Sequence, residues 1–154
     1  MTRWISLALA ALALAGCGPG FELTLPPRFV TLADSAGRGS YEMRATTPDG
    51  VVVGVEVIAN DVHGTLEFWQ EAMLRRLRDQ QGYELLAEEE IRAANGQNGA
   101  LMRFGRDLDG HAYRYTTAVF VTPSAIYLIE AGGREEPYAA LEGEIERSIA
   151  AMRF

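Results

Sequence analysis

The chain is 154 residues long and 48% hydrophobic, with a formal net charge of −7. Its 14 basic residues are all Arg, against 21 Asp and Glu. That balance excludes the basic footprint of a nucleic-acid binder and the polybasic patch of a protein held to anionic lipid by charge.

The first sixteen residues have the layout of a secretory signal peptide. Arg3 supplies the positive start, Ile5 to Ala15 is an uncharged apolar run, and Leu14-Ala15-Gly16 leads with small residues into Cys17. The run is too short to span a bilayer, which takes roughly 20 apolar residues, and Pro19 and Gly20 break any helix that follows. Leu14-Ala15-Gly16-Cys17 resembles the lipobox of bacterial lipoproteins. The resemblance implies that the Cys17 thiol takes a diacylglycerol, that residues 1–16 are removed, and that residues 17–20 form a lipidated N-terminus and short tether. Gly18, rather than Asp, after Cys17 resembles the outer-membrane default of organisms with two membranes. The expected location is the cell envelope, facing the periplasm. Cys17 is the only cysteine, so residues 21–154 must fold as one domain without an internal disulfide. Loss of Arg3 leaves 13 basic against 21 acidic residues, a net charge of about −8.

Phe21 to Leu25 alternates apolar and polar residues and predicts a short strand ended by Pro26-Pro27. Asp34 to Ser40 is a polar, glycine-bearing loop. Tyr41, Met43, Ala45 and Thr47 alternate with Glu42, Arg44 and Thr46, which places the first set on a buried face. Pro48-Asp49-Gly50 is a hairpin turn. Val51 to Ala59 is apolar on most of both faces, as in a central strand covered on both sides.

Thr65 caps a helix running to about Gln81, with Leu66, Trp69, Met73 and Leu77 at helical spacing and Trp69 mid-stripe. Glu71 with Arg75, and Arg75 with Asp79, are spaced for ion pairs. Further strands run from Tyr83 to Ile91, from Ala100 to Gly105, from His111 to Thr122 and from Ala125 to Ala131. Asn95 to Gly99 and Leu108 to Gly110 are turns between them. A last helix begins near Pro137, with Tyr138, Leu141, Ile145, Ile149 and Met152 as its apolar stripe and Gly143 in its interior. Tight turns between strand neighbours make the sheet mainly antiparallel. The expected architecture is α+β: an α/β/α sandwich whose two amphipathic helices cover the sheet.

The order of certain residues resembles the PsbP-like superfamily, especially its small DcrB-like bacterial members. The features are Phe21-x-Leu23-x-Leu25-Pro26-x-x-Phe29, the Asp49-Gly50 hairpin into a valine strand, and Trp69 in the first helix. The Asn98-Gly99-Ala100 turn, the paired Tyr113 and Tyr115, and Ser148-Ile149 with Met152 complete the set. Position 29 is Phe where the family pattern has Trp. The resemblance implies the α/β/α sandwich and a protein-binding or adaptor function, not an enzyme.

Candidate chemistry in the sequence is sparse. His63 lies two residues after Asp61, but two ligands do not make a zinc site, and His111 starts a strand after a turn. Ser124 and Ser148 have no evident base, and no nucleophile elbow is present. Glu88 and Glu90 could converge on one strand face while Glu89 points away, as a pair for Ca²⁺ or for glycoside hydrolysis; a solvated edge strand is the commoner use of such a run. Tyr113 and Tyr115 are expected to face the core, with Arg114 on the opposite side. The reading at this level is an envelope lipoprotein anchored through lipid on Cys17. It would act without catalytic residues, metal or cofactor as a binding or assembly factor for other envelope proteins. A small-ligand or metal-binding module is the alternative, and a hydrolase the last.

Lipidation is directly testable. Cells fed labelled palmitate should label the wild-type chain and not Cys17→Ala, and the variant should persist as a larger precursor. Equal labelling of the two would remove the lipoprotein assignment.

Overall fold

A computed structural model describes residues 20–33 and 40–154. The apolar leader, Cys17 and the loop at 34–39 lie outside the described residues. The strands are β1 (Val30–Thr31), β2 (Tyr41–Thr46), β3 (Val52–Ala59), β4 (Glu84–Arg92), β5 (Asn98–Leu108), β6 (His111–Val121) and β7 (Ala125–Arg134). The helices are α1 (Leu66–Arg75), which continues as a π-helical turn over Arg76–Gln80, α2 (Glu135–Ala139) and α3 (Glu142–Ala150). The seven strands form one antiparallel sheet in the order β1-β2-β3-β7-β6-β5-β4.

The turn residues account for the hairpins. Asp109 and Gly110 both take positive φ between the paired Leu108 and His111, the two-residue turn whose twist matches flanking strands. Gly50 takes φ 81° in the β2–β3 turn. From β3 the chain crosses through α1 to the far edge and returns strand by strand, so the last strand, β7, closes the sheet between β3 and β6.

Each face of the sheet has its own core. On one face, Val53, Val55, Leu101, Phe120 and Ile129 pack under α2 and α3. The stripe Tyr138, Leu141, Ile145, Ile149 and Met152 is fully buried there. Arg103 ties this layer together: its guanidinium donates to both carboxylate oxygens of Glu146 at 2.6 and 2.8 Å and also bonds Glu89 of β4. Glu146 first, with Glu89, raises the pKa of that guanidinium against the cost of burial. On the other face, Met102, Phe104, Val119, Ile126 and Leu128 meet α1 and Leu77.

Several elements depart from the sequence reading. Phe21 to Leu25 is not a strand: it forms only a bridge from Glu22 to Arg153. Its alternation serves packing, with Phe21, Leu23 and Leu25 against the α3-side core. The strand lies later, at Val30–Thr31 on the sheet edge. The last helix is broken at Ala140 and Leu141, so Gly143 sits in the first turn of α3 and not in a helix interior. A bulge between Tyr41 and Met43 breaks the β2 alternation. Met43 and Ala45 stay on the α3-side core, while Tyr41 turns to the α1 side. In α1, Arg75 pairs with Glu71 at 2.5 Å, and the π turn that follows moves Asp79 off that line. Trp69 is half-buried; Leu77, not Trp69, is the fully buried member of the stripe.

Leu77→Ala should therefore cost about 2–5 kcal/mol, and Phe68→Ala, at an exposed position of the same helix, about 0.5 kcal/mol or less. Urea unfolding followed by far-UV circular dichroism checks both; equal losses would contradict the burial pattern of α1.

Candidate functional site

The most unusual residue of the sheet is Glu130. It stands in the middle of β7, opposite Gly54 on one side and Thr117 on the other, and is 6% exposed. An ionised carboxylate at such a place requires partners, because burial strips its hydration. Two elements supply them. The Tyr41 hydroxyl donates to Glu130 Oε2. Arg76 Nη2 donates to Oε1 at 2.5 Å. The Tyr115 phenol lies on the same side of the sheet and feels the charge of the same carboxylate.

Local structure explains how these side chains converge. The β2 bulge turns Tyr41 toward Glu130. Gly54 leaves room for its ring: a Cβ there would lie 2.7 Å from it. Gly132 does the same for Tyr115, whose ring would be 3.0 Å from an added Cβ. Arg76 opens the π turn, where two consecutive residues, Arg76 and Leu77, both reach the sheet; such turns are frequent at functional sites. Arg76 Nε is buried and has no hydrogen-bond partner among the described residues.

The electrostatics fix the protonation of the phenols. Burial first, then the hydrogen bond and negative charge of Glu130, push the Tyr41 pKa well above the usual phenol range. Burial, then the charge of Glu130, does the same to Tyr115. Both phenols therefore stay protonated at neutral pH and serve as donors, not as bases. The cluster is a hydrogen-bonded hub. Above it lies a cleft of about 210 Å³ lined by Tyr41, Arg44, Val52, Gly54, Tyr115 and Gly132. The Arg44 guanidinium sits 5.6 Å from the centre of the Tyr41 ring, within cation–π range.

The residues singled out from the sequence lie elsewhere. His63 is exposed in the loop before α1, at φ 51°. His111 is exposed at the start of β6, at the other end of the sheet. The β6 strand alone spans roughly 33 Å, so the two cannot share a ligand. Glu88 and Glu90 share the α1 face of the edge strand, and Glu88 accepts a hydrogen bond from Gln70. Glu89 points to the opposite face and Arg103. Among the described residues no three His, Cys, Asp or Glu side chains group as metal ligands. Tyr115 does face the α1-side core and Arg114 the other side, where it bonds Glu135 at 2.5 and 3.0 Å. Sequence reasoning missed Glu130, Tyr41 and Arg76. The available signal was Glu130 itself, one charge inside the apolar strand Ala125 to Ala131.

No family model matches this chain, and no curated protein matches it by sequence. Solved structures do match. The fold is that of PsbP. The solution structure of cyanobacterial PsbP (CyanoP) from Synechocystis sp. PCC 6803 aligns with TM-score 0.63 at 13% identity, over 87% of this chain and 86% of that one. LpqN of Mycobacterium tuberculosis, involved in cell envelope biogenesis, gives TM-score 0.67 at 15% identity over 89% and 86%. The Saccharomyces cerevisiae Ran-binding protein Mog1p gives 0.59 at 14% over 86% and 91%. At these identities the likeness concerns the fold: an antiparallel seven-stranded α+β sandwich.

The raised phenols carry a pH dependence. A phenol with pKa about 10 unfolded and higher when folded contributes stability that is fully present below pH 10. As pH rises above 10, the unfolded chain releases its protons first and stability falls. Glu130→Gln removes the charge acting on Tyr41 and Tyr115, so their absorbance titration should move toward lower pH. The alkaline loss in urea midpoint should shrink with it, while Tyr138, raised chiefly by its own burial, should be unaffected. An unchanged titration in the variant would refute the coupling.

Proposed function

We propose that this chain is a lipoprotein of the cell envelope, anchored through Cys17, whose PsbP-like domain binds or assembles other envelope proteins without catalysing a reaction. One observation carries the reading. The α1 side of the sheet is covered by its helix only over β5 and β6 and their neighbours, and beyond it Tyr41, Arg44 and Val52 line an open face. Val52, at the start of β3, is 37% exposed although β3 has a strand on either side. Tyr and Arg are the residue types enriched at binding hot spots, and here the Glu130 hub fixes their geometry before any partner arrives.

The lipobox-like Leu14-Ala15-Gly16-Cys17 supports membrane attachment through lipid. The same fold serves a named envelope-biogenesis protein, LpqN, and a named Ran-binding protein, Mog1p. Gly18 favours the outer membrane, with the domain in the periplasm. A second reading, a small-ligand module, rests on the cleft itself; its volume of about 210 Å³ is below the roughly 300–1,000 Å³ usual for ligand pockets.

A photo-crosslinking residue introduced at Val52 in intact cells should trap a discrete adduct identifiable by mass spectrometry. Arg44→Glu should abolish that adduct, whereas simultaneous replacement of His63, His111, Glu88 and Glu90 should leave it and the cellular phenotype intact. Loss of the phenotype in the quadruple variant, with unchanged melting temperature and an unchanged adduct, would move the metal or hydrolase reading to the front.

A further inference from the structure

The geometry points to a second surface, the Val62–Phe68 end of the domain, which rests on the bilayer that holds the lipid of Cys17; this inference presupposes the lipid anchor proposed above.

The position of the chain's entry carries the argument. The Gly20 carbonyl accepts a hydrogen bond from the Tyr127 hydroxyl at 3.2 Å. From there the segment crosses the α3-side face, packing Phe21, Leu23 and Leu25 against the core, and reaches the edge where Val30 pairs with Thr46 beside the β2–β3 turn. Gly20 thus sits at the opposite end of the sheet. That end is built of three connections: β3 to α1, β4 to β5 and β6 to β7. They interlock through Asn60 N–H to the Ser124 carbonyl at 3.0 Å and Gln97 Nε2 to the Val121 carbonyl at 2.9 Å. Cys17 precedes Gly20 by three residues, which span at most about 11 Å when fully extended. Acyl chains on Cys17 therefore hold this end of the domain against the headgroups.

Among polar side chains such as Asp61, His63, Asn95 and Ser124, this end presents two large apolar ones. Val62 is 68% exposed and Phe68 56% exposed, on either side of the α1 cap, Thr65. Single exposed apolar residues are ordinary on a protein surface; these two are set apart by where they stand and how firmly they are held. Asn60, almost fully buried, accepts from Gly64 N–H at 2.9 Å and from Trp69 Nε1 at 3.2 Å. It donates to the Gly64 and Thr122 carbonyls, both at 3.1 Å. The Phe68 ring stands edge-on to Trp69, with centroids 5.3 Å apart. The loop is fixed with its apolar tips outward. Asp61 and Glu67 flank them, so the surface fits zwitterionic lipid, entered by apolar contact and not by charge.

The test uses the mature, lipidated chain in phosphatidylcholine vesicles. With Cys17 acylated, Val62→Cys carries the only free thiol and accepts one fluorophore per chain. Leu108→Cys provides the control, because β5 separates Leu108 from Asn98 by roughly 33 Å. Phosphatidylcholine bearing a nitroxide near the headgroup should quench the label at position 62 and not at 108. Adding Phe68→Glu to Val62→Cys should reverse that loss of emission. One label per chain with no quenching at position 62, or equal quenching at both positions, overturns the docking while the anchor stands. A second label per chain, on Cys17, overturns the anchor and the docking with it.

Discussion

The buried carboxylate of Glu130 is the constraint around which this sheet is arranged. β7 enters last and lies between β3 and β6, so a charge in its middle has sheet on both sides and water on neither. Left unpaired it would cost several kcal/mol. Irregularities that look unrelated in sequence each answer that demand. The bulge in β2 brings Tyr41, the π turn after α1 brings Arg76, and Gly54 and Gly132 clear the space in which two tyrosine rings lie on the strands. A fully apolar β7 would have needed none of them. Replacing buried ion pairs by apolar residues of equal volume is often neutral or stabilising, so the network is weak evidence for stability; what it does define is geometry, with two phenols, a guanidinium and a cleft wall in one arrangement.

The two faces of the sheet are covered unequally. On the α3 side, two helices and the N-terminal segment bury a continuous core, pinned by the bidentate Arg103–Glu146 pair. On the α1 side a single helix covers the half of the sheet near β5 and β6. The other half carries no helix, and there Arg44, Tyr41 and Val52 meet solvent beside the Glu130 hub. The α3 face is closed by packing; the open half of the α1 face lies directly over the Glu130 hub.

What could be read from the sequence follows from periodicity. The buried stripe from Tyr138 to Met152, the position of the valine strand and the Asp109-Gly110 turn each follow one local rule and are found where expected, although the stripe is carried by two helices and the valine strand is covered on one face only near Val52. The site is built from interruptions of those rules. One extra residue in β2 inverts the face of Tyr41, and one wide turn in the helix redirects Arg76; neither leaves a mark in composition or spacing. The alternation at Phe21 to Leu25 misleads for the complementary reason. An extended segment laid across a packed layer buries every second side chain just as a strand does, so the pattern reports burial and not pairing. Glu130 alone was visible, as a single charge inside an apolar strand, but its meaning depended on partners from β2, β6 and α1 that only the fold brings together.

The proposed anchor and the cleft fit one another in direction. With the bilayer at the Val62 end, β3 and β7 rise from the membrane. Glu130 stands five residues above Ala125, roughly 17 Å up the strand, and Val52 and Gly132 lie farther still, toward the β2–β3 turn. The uncovered face then opens sideways and away from the lipid, clear of the headgroups. With the proposed anchor, three residues of at most about 11 Å keep the Val62 end of the domain near the bilayer. For the binding factor proposed above, a face turned outward in this way would raise the effective concentration of the site for partners that approach along the surface.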